Sequence, residues 1–284
     1  MSHFTVMVIG ENPEEQLAPY QENNMGDCPE EYMEFVDETE SLKQSWEDLT
    51  EDEKSEFKSF EDFAENEGYK ENEGKFGYWE NPNAKWDWYV LGGRWSGFLK
   101  LKEGAEGEVG SAGLFSSPAE EGTADSAFKK DIDFFNMRKD AAEKAGELWD
   151  KVKKIVKGCP EPLEWKHVRE NMFPGDIDGA REYYRNQEAV LKLDEWNKKN
   201  SHELFGINLE DFNCTREDYC IDAANGSFVT FAVLKDGKWY ERGEMGWWAS
   251  VSNEKDRDEW NSEVAKMIDE LPDDTQISIY DCHI

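Results

Sequence analysis

Residues 219–242 read YCIDAANGSFVTFAVLKDGKWYER. Two dipeptides punctuate this stretch, Asn225-Gly226 and Asp236-Gly237. Both suit a two-residue hairpin turn, because Asn and Asp tolerate left-handed backbone and glycine adopts it without a Cβ clash. β-branched and aromatic residues flank each turn, so the spacing predicts a three-stranded antiparallel meander over 219–242.

Downstream of it, Trp260, Val264, Met267, Ile268 and Leu271 keep a helical period up to Pro272, and Gln276–Ile284 reads as a closing strand. Upstream, a long helix is predicted from about Asp178 to Asn200, with Tyr183, Val190, Leu193 and Trp196 on one side. Another is predicted from a capping box at Ser117-Pro118-Ala119-Glu120 to about Lys157. Ile132, Phe135, Ala142, Ala145, Leu148, Trp149, Val152, Ile155 and Val156 carry its period, and Gly158 with Pro160 stops it. Lys151, Lys153, Lys154 and Lys157 suit the helix C-terminus and give it a basic end that another copy's acidic face would attract.

Nearer the start, Lys85–Leu91 and Arg94–Leu101 flank Gly92-Gly93 and predict a hairpin at 85–101. The Gly-Gly-Arg lacks the glycine spacing of a phosphate loop. Phe4, Val6 and Val8 alternate with Thr5, Met7 and Ile9 in a buried strand that Gly10 ends. Helices and antiparallel strands without a βαβ repeat make the class α+β, with several long amphipathic helices. Three consecutive regions are expected: 1–110, including an acidic helical segment at 29–74; a mainly helical 111–204; and 205–284. The terminal strands are candidates for pairing in one sheet.

Over 284 residues the formal charge is −33, with 13% aromatics and twelve tryptophans. Aromatics at that level argue against disorder, since each buried ring removes about 150–250 Å² from water. The charge excludes direct nucleic-acid binding by electrostatics and disfavours an anionic membrane surface. It suits a partner with a basic surface. Residues 29–74 concentrate it, with 18 Asp and Glu against four Lys, yet Leu42, Trp46, Leu49, Phe57, Phe60 and Phe63 recur at near-helical spacing. This reads as one or two amphipathic helices with acidic outer faces. Those faces serve either solvation or binding, as a carboxylate array in place of DNA phosphates. Glu47, Asp48, Glu51, Asp52, Glu53 and Glu56 are the candidate contacts, and Trp247 and Trp248 are candidates on hot-spot grounds. Five cysteines in irregular spacing, no leader-like N-terminus and no long apolar run point to a reducing compartment without a membrane span.

No motif of nucleotide, metalloprotease, hydrolase or kinase chemistry is present. If the terminal strands are neighbours, His3, Asp281 and His283 come together as a metal site or as a base with its orienting carboxylate; otherwise they are ordinary polar ends. Cys214, Cys220, Cys282 and His283 form a second, looser zinc candidate. No cofactor is expected.

Met1–Gly10, Trp86-Asp87-Trp88-Tyr89, Gly92-Gly93-Arg94-Trp95, Phe231–Tyr240 and Asp281-Cys282-His283-Ile284 resemble blocks in a family of bacteriophage and mobile-element proteins. In size and acidity the chain also resembles the Gabija anti-defence proteins of phages. That resemblance implies a non-enzymatic protein in the cytoplasm of the infected host. It would assemble, with self-association, around the Gabija nuclease–helicase complex and block DNA access or cleavage. A small metal-dependent hydrolase with a site near the termini, or a phage accessory or assembly protein, is the alternative.

Overall fold

The computed structural model describes residues 2–113, 117–246 and 250–284. Instead of three consecutive regions, the chain forms two compact units built from separated segments. One holds 1–132, 230–255 and 271–284; the other holds 133–229 and 256–270. The class is α+β, with its sheets largely antiparallel. No described helix is long and apolar enough to cross a membrane.

All described strands lie in the first unit: β1 (His3–Ile9), β2 (Glu34–Asp37), β3 (Lys70–Asn72), β4 (Lys75–Glu80), β5 (Trp88–Gly93), β6 (Leu99–Lys100), β7 (Ser111–Ala112), β8 (Thr123–Ala124), β9 (Ser126–Phe128), β10 (Ala232–Lys235), β11 (Lys238–Glu241), β12 (Glu244–Met245), β13 (Val251–Ser252) and β14 (Gln276–His283). A seven-stranded sheet runs β11-β10-β1-β14-β5-β7, with β9 also on β14. β14 is antiparallel to β1 and β5, whereas β1 and β10 are parallel. Buried along nearly their whole length, β1 and β14 are interior strands. On one face Phe4, Val6, Val8, Leu234, Tyr280 and Cys282 pack with Leu17 and Trp86. Leu17 belongs to a short helix, α1 (Pro13–Leu17), whose last carbonyl accepts the Trp86 indole N–H at 3.1 Å.

The acidic segment folds as a small module. β2, β4 and β3 form a three-stranded sheet, joined by α2 (Thr39–Asp48), α3 (Glu51–Lys54) and α4 (Phe60–Asn66). Leu42, Phe63, Ala64 and Phe76 form its core, with Trp46, Phe57 and Phe60 packed around them. The sequence reading of helices alone is thus corrected. Glu34–Asp37 and Lys70–Asn72 are strands because β4 offers both of them an apolar, hydrogen-bonding neighbour.

The second unit holds α5 (Phe134–Ile155), α6 (Trp165–His167), α7 (Ile177–Arg185), α8 (Glu188–Lys199), α9 (Arg216–Asn225) and α10 (Arg257–Asp269). Val152, Leu193, Leu204, Leu209 and Phe212 are among its buried core. At Gly146 a Cβ would come within 2.4 Å of the Arg216 guanidinium, so the glycine lets α9 lay that side chain on α5, beside Asp150.

Four local expectations give way to competing physics. Residues 219–224 belong to α9, where Thr215 caps the helix through the Asp218 N–H. Asn225-Gly226 therefore ends a helix, and only the Asp236-Gly237 hairpin forms, between β10 and β11. The 85–101 segment turns at Gly92–Gly97, but its arms separate: β5 joins β14 and β6 joins β8. Ser117–Glu120 caps no helix; β8 and β9 intervene, and α5 starts at Phe134 under the Asp133 cap. The helix expected over 178–200 is broken at Asn186-Gln187 into α7 and α8.

Candidate functional site

The pairing of β1 with β14 sets His3 opposite His283 and Thr5 opposite Asp281. Strand side chains alternate, so all four share one face of the sheet. β5 adds Trp88 opposite His283. The three expected residues, His3, Asp281 and His283, are therefore together.

Their geometry is two histidine–aspartate pairs. His3 Nδ1 lies 2.8 Å from Asp281 Oδ1, and His283 Nδ1 lies 2.6 Å from Asp87 Oδ1. A carboxylate only accepts, so each Nδ1 carries a proton and each Nε2 is the basic nitrogen. Neither Nε2 has a hydrogen-bond partner among the described residues. The imidazole centroids stand 4.9 Å apart at 73°. Trp88, 44% exposed, stacks on His283 at 5.4 Å and 15°. Glu22 borders the group: burial, then the Asp87 charge, pushes its carboxyl up, while His283 draws it down.

Asp281 is 1% exposed, and its second oxygen accepts the Arg94 N–H at 2.9 Å. A second buried carboxylate, Asp125, accepts the N–H groups of Gly97 at 2.6 Å and Gly110 at 2.8 Å. Gly92 and Gly93 make room for both. A Cβ at Gly92 would stand 2.3 Å from Asp125 Oδ2, and one at Gly93 would stand 2.3 Å from the Asp281 Cβ. Both glycines also have positive φ, at 79° and 54°.

Asp87, Trp88 and Asp125 went unassigned at the level of sequence. The Trp86-Asp87-Trp88 and Gly92-Gly93 stretches carried the signal, but a local hairpin reading hides their partners in β14. The arrangement offers two oriented imidazole bases. No group of three or more His, Cys, Asp or Glu side chains among the described residues is arranged to hold a metal ion. This corrects both metal candidates, His3 with Asp281 and His283, and Cys214 with Cys220, Cys282 and His283. Cys282 points to the opposite sheet face from His283, and burial, then the Asp281 charge, pushes its thiol well up.

The acidic candidates sit on the module. Glu47, Asp48, Glu51, Asp52, Glu53 and Glu56 are all exposed, and none forms an ion pair among the described residues. Glu53 accepts from the Thr50 hydroxyl at 2.6 Å and its backbone N–H at 2.7 Å, closing a capping box on α3. That contact, foremost the Thr50 hydroxyl, holds the Glu53 carboxyl below its ordinary range. Lys54, the one cation of α3, lies over the Trp46 ring at 5.9 Å. Trp247 and Trp248 fall outside the described residues. At the basic end of α5, Lys151 is engaged by Glu203, and Lys153 lies over Trp149 at 5.5 Å.

No protein-family model matches the chain, and no curated protein or solved structure does.

Proposed function

We propose that the protein acts by binding a basic protein surface, with the acidic module as the contact. In its specific form, following the resemblance, the partner is the Gabija nuclease–helicase complex, and binding blocks DNA access or cleavage. One observation carries the reading: six exposed carboxylates, free of internal ion pairs, are held on a module with its own aromatic core. Carried on a folded backbone, these charges require no loop ordering on binding and steer encounter with a cationic face.

The test mixes the purified protein with the purified complex. Size-exclusion chromatography with light scattering is run beside a DNA-cleavage assay. Co-elution with loss of cleavage is expected, and the mass gives the stoichiometry and any self-association. Separate elution with intact cleavage sinks the Gabija assignment. Unchanged binding at low salt in the Glu51→Gln, Asp52→Asn, Glu53→Gln variant sinks the contact assigned to the module.

A second reading is general acid–base catalysis at His3 and His283, favoured by the aspartate on each Nδ1. Its substrate would meet both Nε2 atoms beside Trp88. Screening for hydrolysis of phosphodiester and ester probes tests it. Activity lost in both His3→Ala and His283→Ala variants with the fold intact supports it, and full function in the double variant removes it.

A further inference from the structure

The sheet face opposite the histidines carries a cleft of about 570 Å³ in the first unit. Tyr280, Ser278 and Gln276 of β14 line it with Tyr89 and Leu91 of β5. Glu14 and Glu15 of α1 and Glu108 complete the polar wall. No Lys or Arg among the described residues lines it.

Tyr280 marks this as more than an acidic surface. The residue is 5% exposed, lines the cleft, and its hydroxyl has no hydrogen-bond partner among the described residues. The ring is buried while the oxygen opens on the cleft, so a ligand there can reach it. Several polar groups nearby are satisfied. Ser126 and Ser278 share a 2.8 Å hydrogen bond, and Gln276 donates to Ser126 at 2.8 Å. Asn12 donates to Glu15 at 3.2 Å. That leaves the Tyr280 and Tyr89 hydroxyls and the Glu14 and Glu108 carboxylates without a hydrogen-bond partner among the described residues. Burial, then Glu14, Tyr89 and Glu108, pushes the Tyr280 hydroxyl up, so it stays a neutral phenol at neutral pH. Tyr89 meets the Tyr280 ring at 5.4 Å and 83°, which supplies aromatic surface beside the carboxylates.

Acceptors, aromatic rings and no competing cation define what fits. We infer that this cleft binds an organic cation bearing N–H donors, a primary ammonium group, with the Tyr280 oxygen and the Glu14 and Glu108 carboxylates as its acceptors. The ammonium would come either from a free polyamine or from a lysine side chain of a protein partner. The inference is independent of the acidic-module reading, since it concerns different residues and is tested without the defence complex.

The experiment is isothermal titration at physiological salt with two probes, spermidine and a short lysine-centred peptide capped at both ends. A saturable one-to-one component is expected. Tyr280→Phe, which keeps the ring, and the Glu14→Gln, Glu108→Gln pair should each weaken it about tenfold, as loss of a hydrogen bond to a charged group does. The Glu147→Gln, Glu217→Gln pair, exposed in the second unit, removes the same charge elsewhere and should leave it unchanged. Tighter binding of spermidine identifies a free polyamine; tighter binding of the peptide identifies a partner's lysine. No saturable component with either probe, or equal weakening in both glutamate pairs, overturns the inference.

Discussion

The acidic module and the central sheet of the first unit treat charge in opposite ways. On the module, the carboxylates of Glu47, Asp48, Glu51, Asp52 and Glu56 face water without an ion pair. In the sheet, Asp281 and Asp125 are buried and meet backbone N–H groups and, for Asp281, an imidazole. An exposed carboxylate contributes little to the fold, so it can be spent on a partner. A buried one is tied to its donors, and losing either side leaves an unpaired polar group in the interior. Stability therefore rests on the buried acidic residues, which leaves the exposed ones of the same unit free for the proposed recognition.

That contrast is broken most severely at Asp281. Asp281→Ala strands the His3 Nδ1–H and the Arg94 N–H, and should cost about 3–5 kcal/mol in urea unfolding followed by tryptophan fluorescence. A cost under about 1 kcal/mol would mean that the carboxylate does not hold the site together. Phe63→Ala should remove about 3 kcal/mol from the module by opening a cavity among Trp46, Phe57 and Phe76. Hydrogen exchange locates that loss: β2–β4 amides should lose protection while β1 and β14 keep theirs. Equal loss in both would make the module and the sheet one cooperative unit. The Glu51→Gln, Asp52→Asn, Glu53→Gln variant should stay within about 0.5 kcal/mol of the parent, since Gln at position 53 can still close the capping box.

The smallest effect is a pH dependence at Asp37. Its carboxyl is lowered from 3.8 to about 2, first by the hydrogen bond from Lys75, then by Thr39. A depressed carboxyl stabilises above its unfolded value, so the contribution is full above pH 3.8 and fades as pH falls toward about 2. Because the group is exposed, salt should weaken it. Unfolding curves of Asp37→Asn and the parent should converge at pH 2 and separate slightly at pH 5. The same gap at both values would sever the link to Lys75.

What the sequence disclosed follows from how local each signal is. The apolar run Phe4–Ile9, the helical period from Trp260 to Pro272 and the Asp236-Gly237 turn each act within a few residues, and each forms as read. Asn225-Gly226 misled because the Thr215 cap acts ten residues earlier and commits the segment to a helix. Gly92-Gly93 misled for another reason: its purpose is not a turn between paired arms but space for Asp125 and Asp281, which lie far along the chain. His3, Asp281 and His283 were legible because strand alternation and one pairing suffice to gather them. Asp87 was not, since its place depends on β5 joining β14, and no local pattern encodes that.

The position of β14 also governs the timing of folding. It lies between β1 and β5, and it is the last strand of the sheet to leave the ribosome. Until it does, β1 has only its parallel neighbour β10, and β5 only the two-residue β7. The contact from His3 to Asp281 spans 278 positions, a separation that favours slow closure and a lengthy interval with open strand edges. A nascent chain in that interval is a natural client for chaperones that shield unpaired strands, and slower translation should lower the yield of properly closed protein most where such a chaperone is scarce.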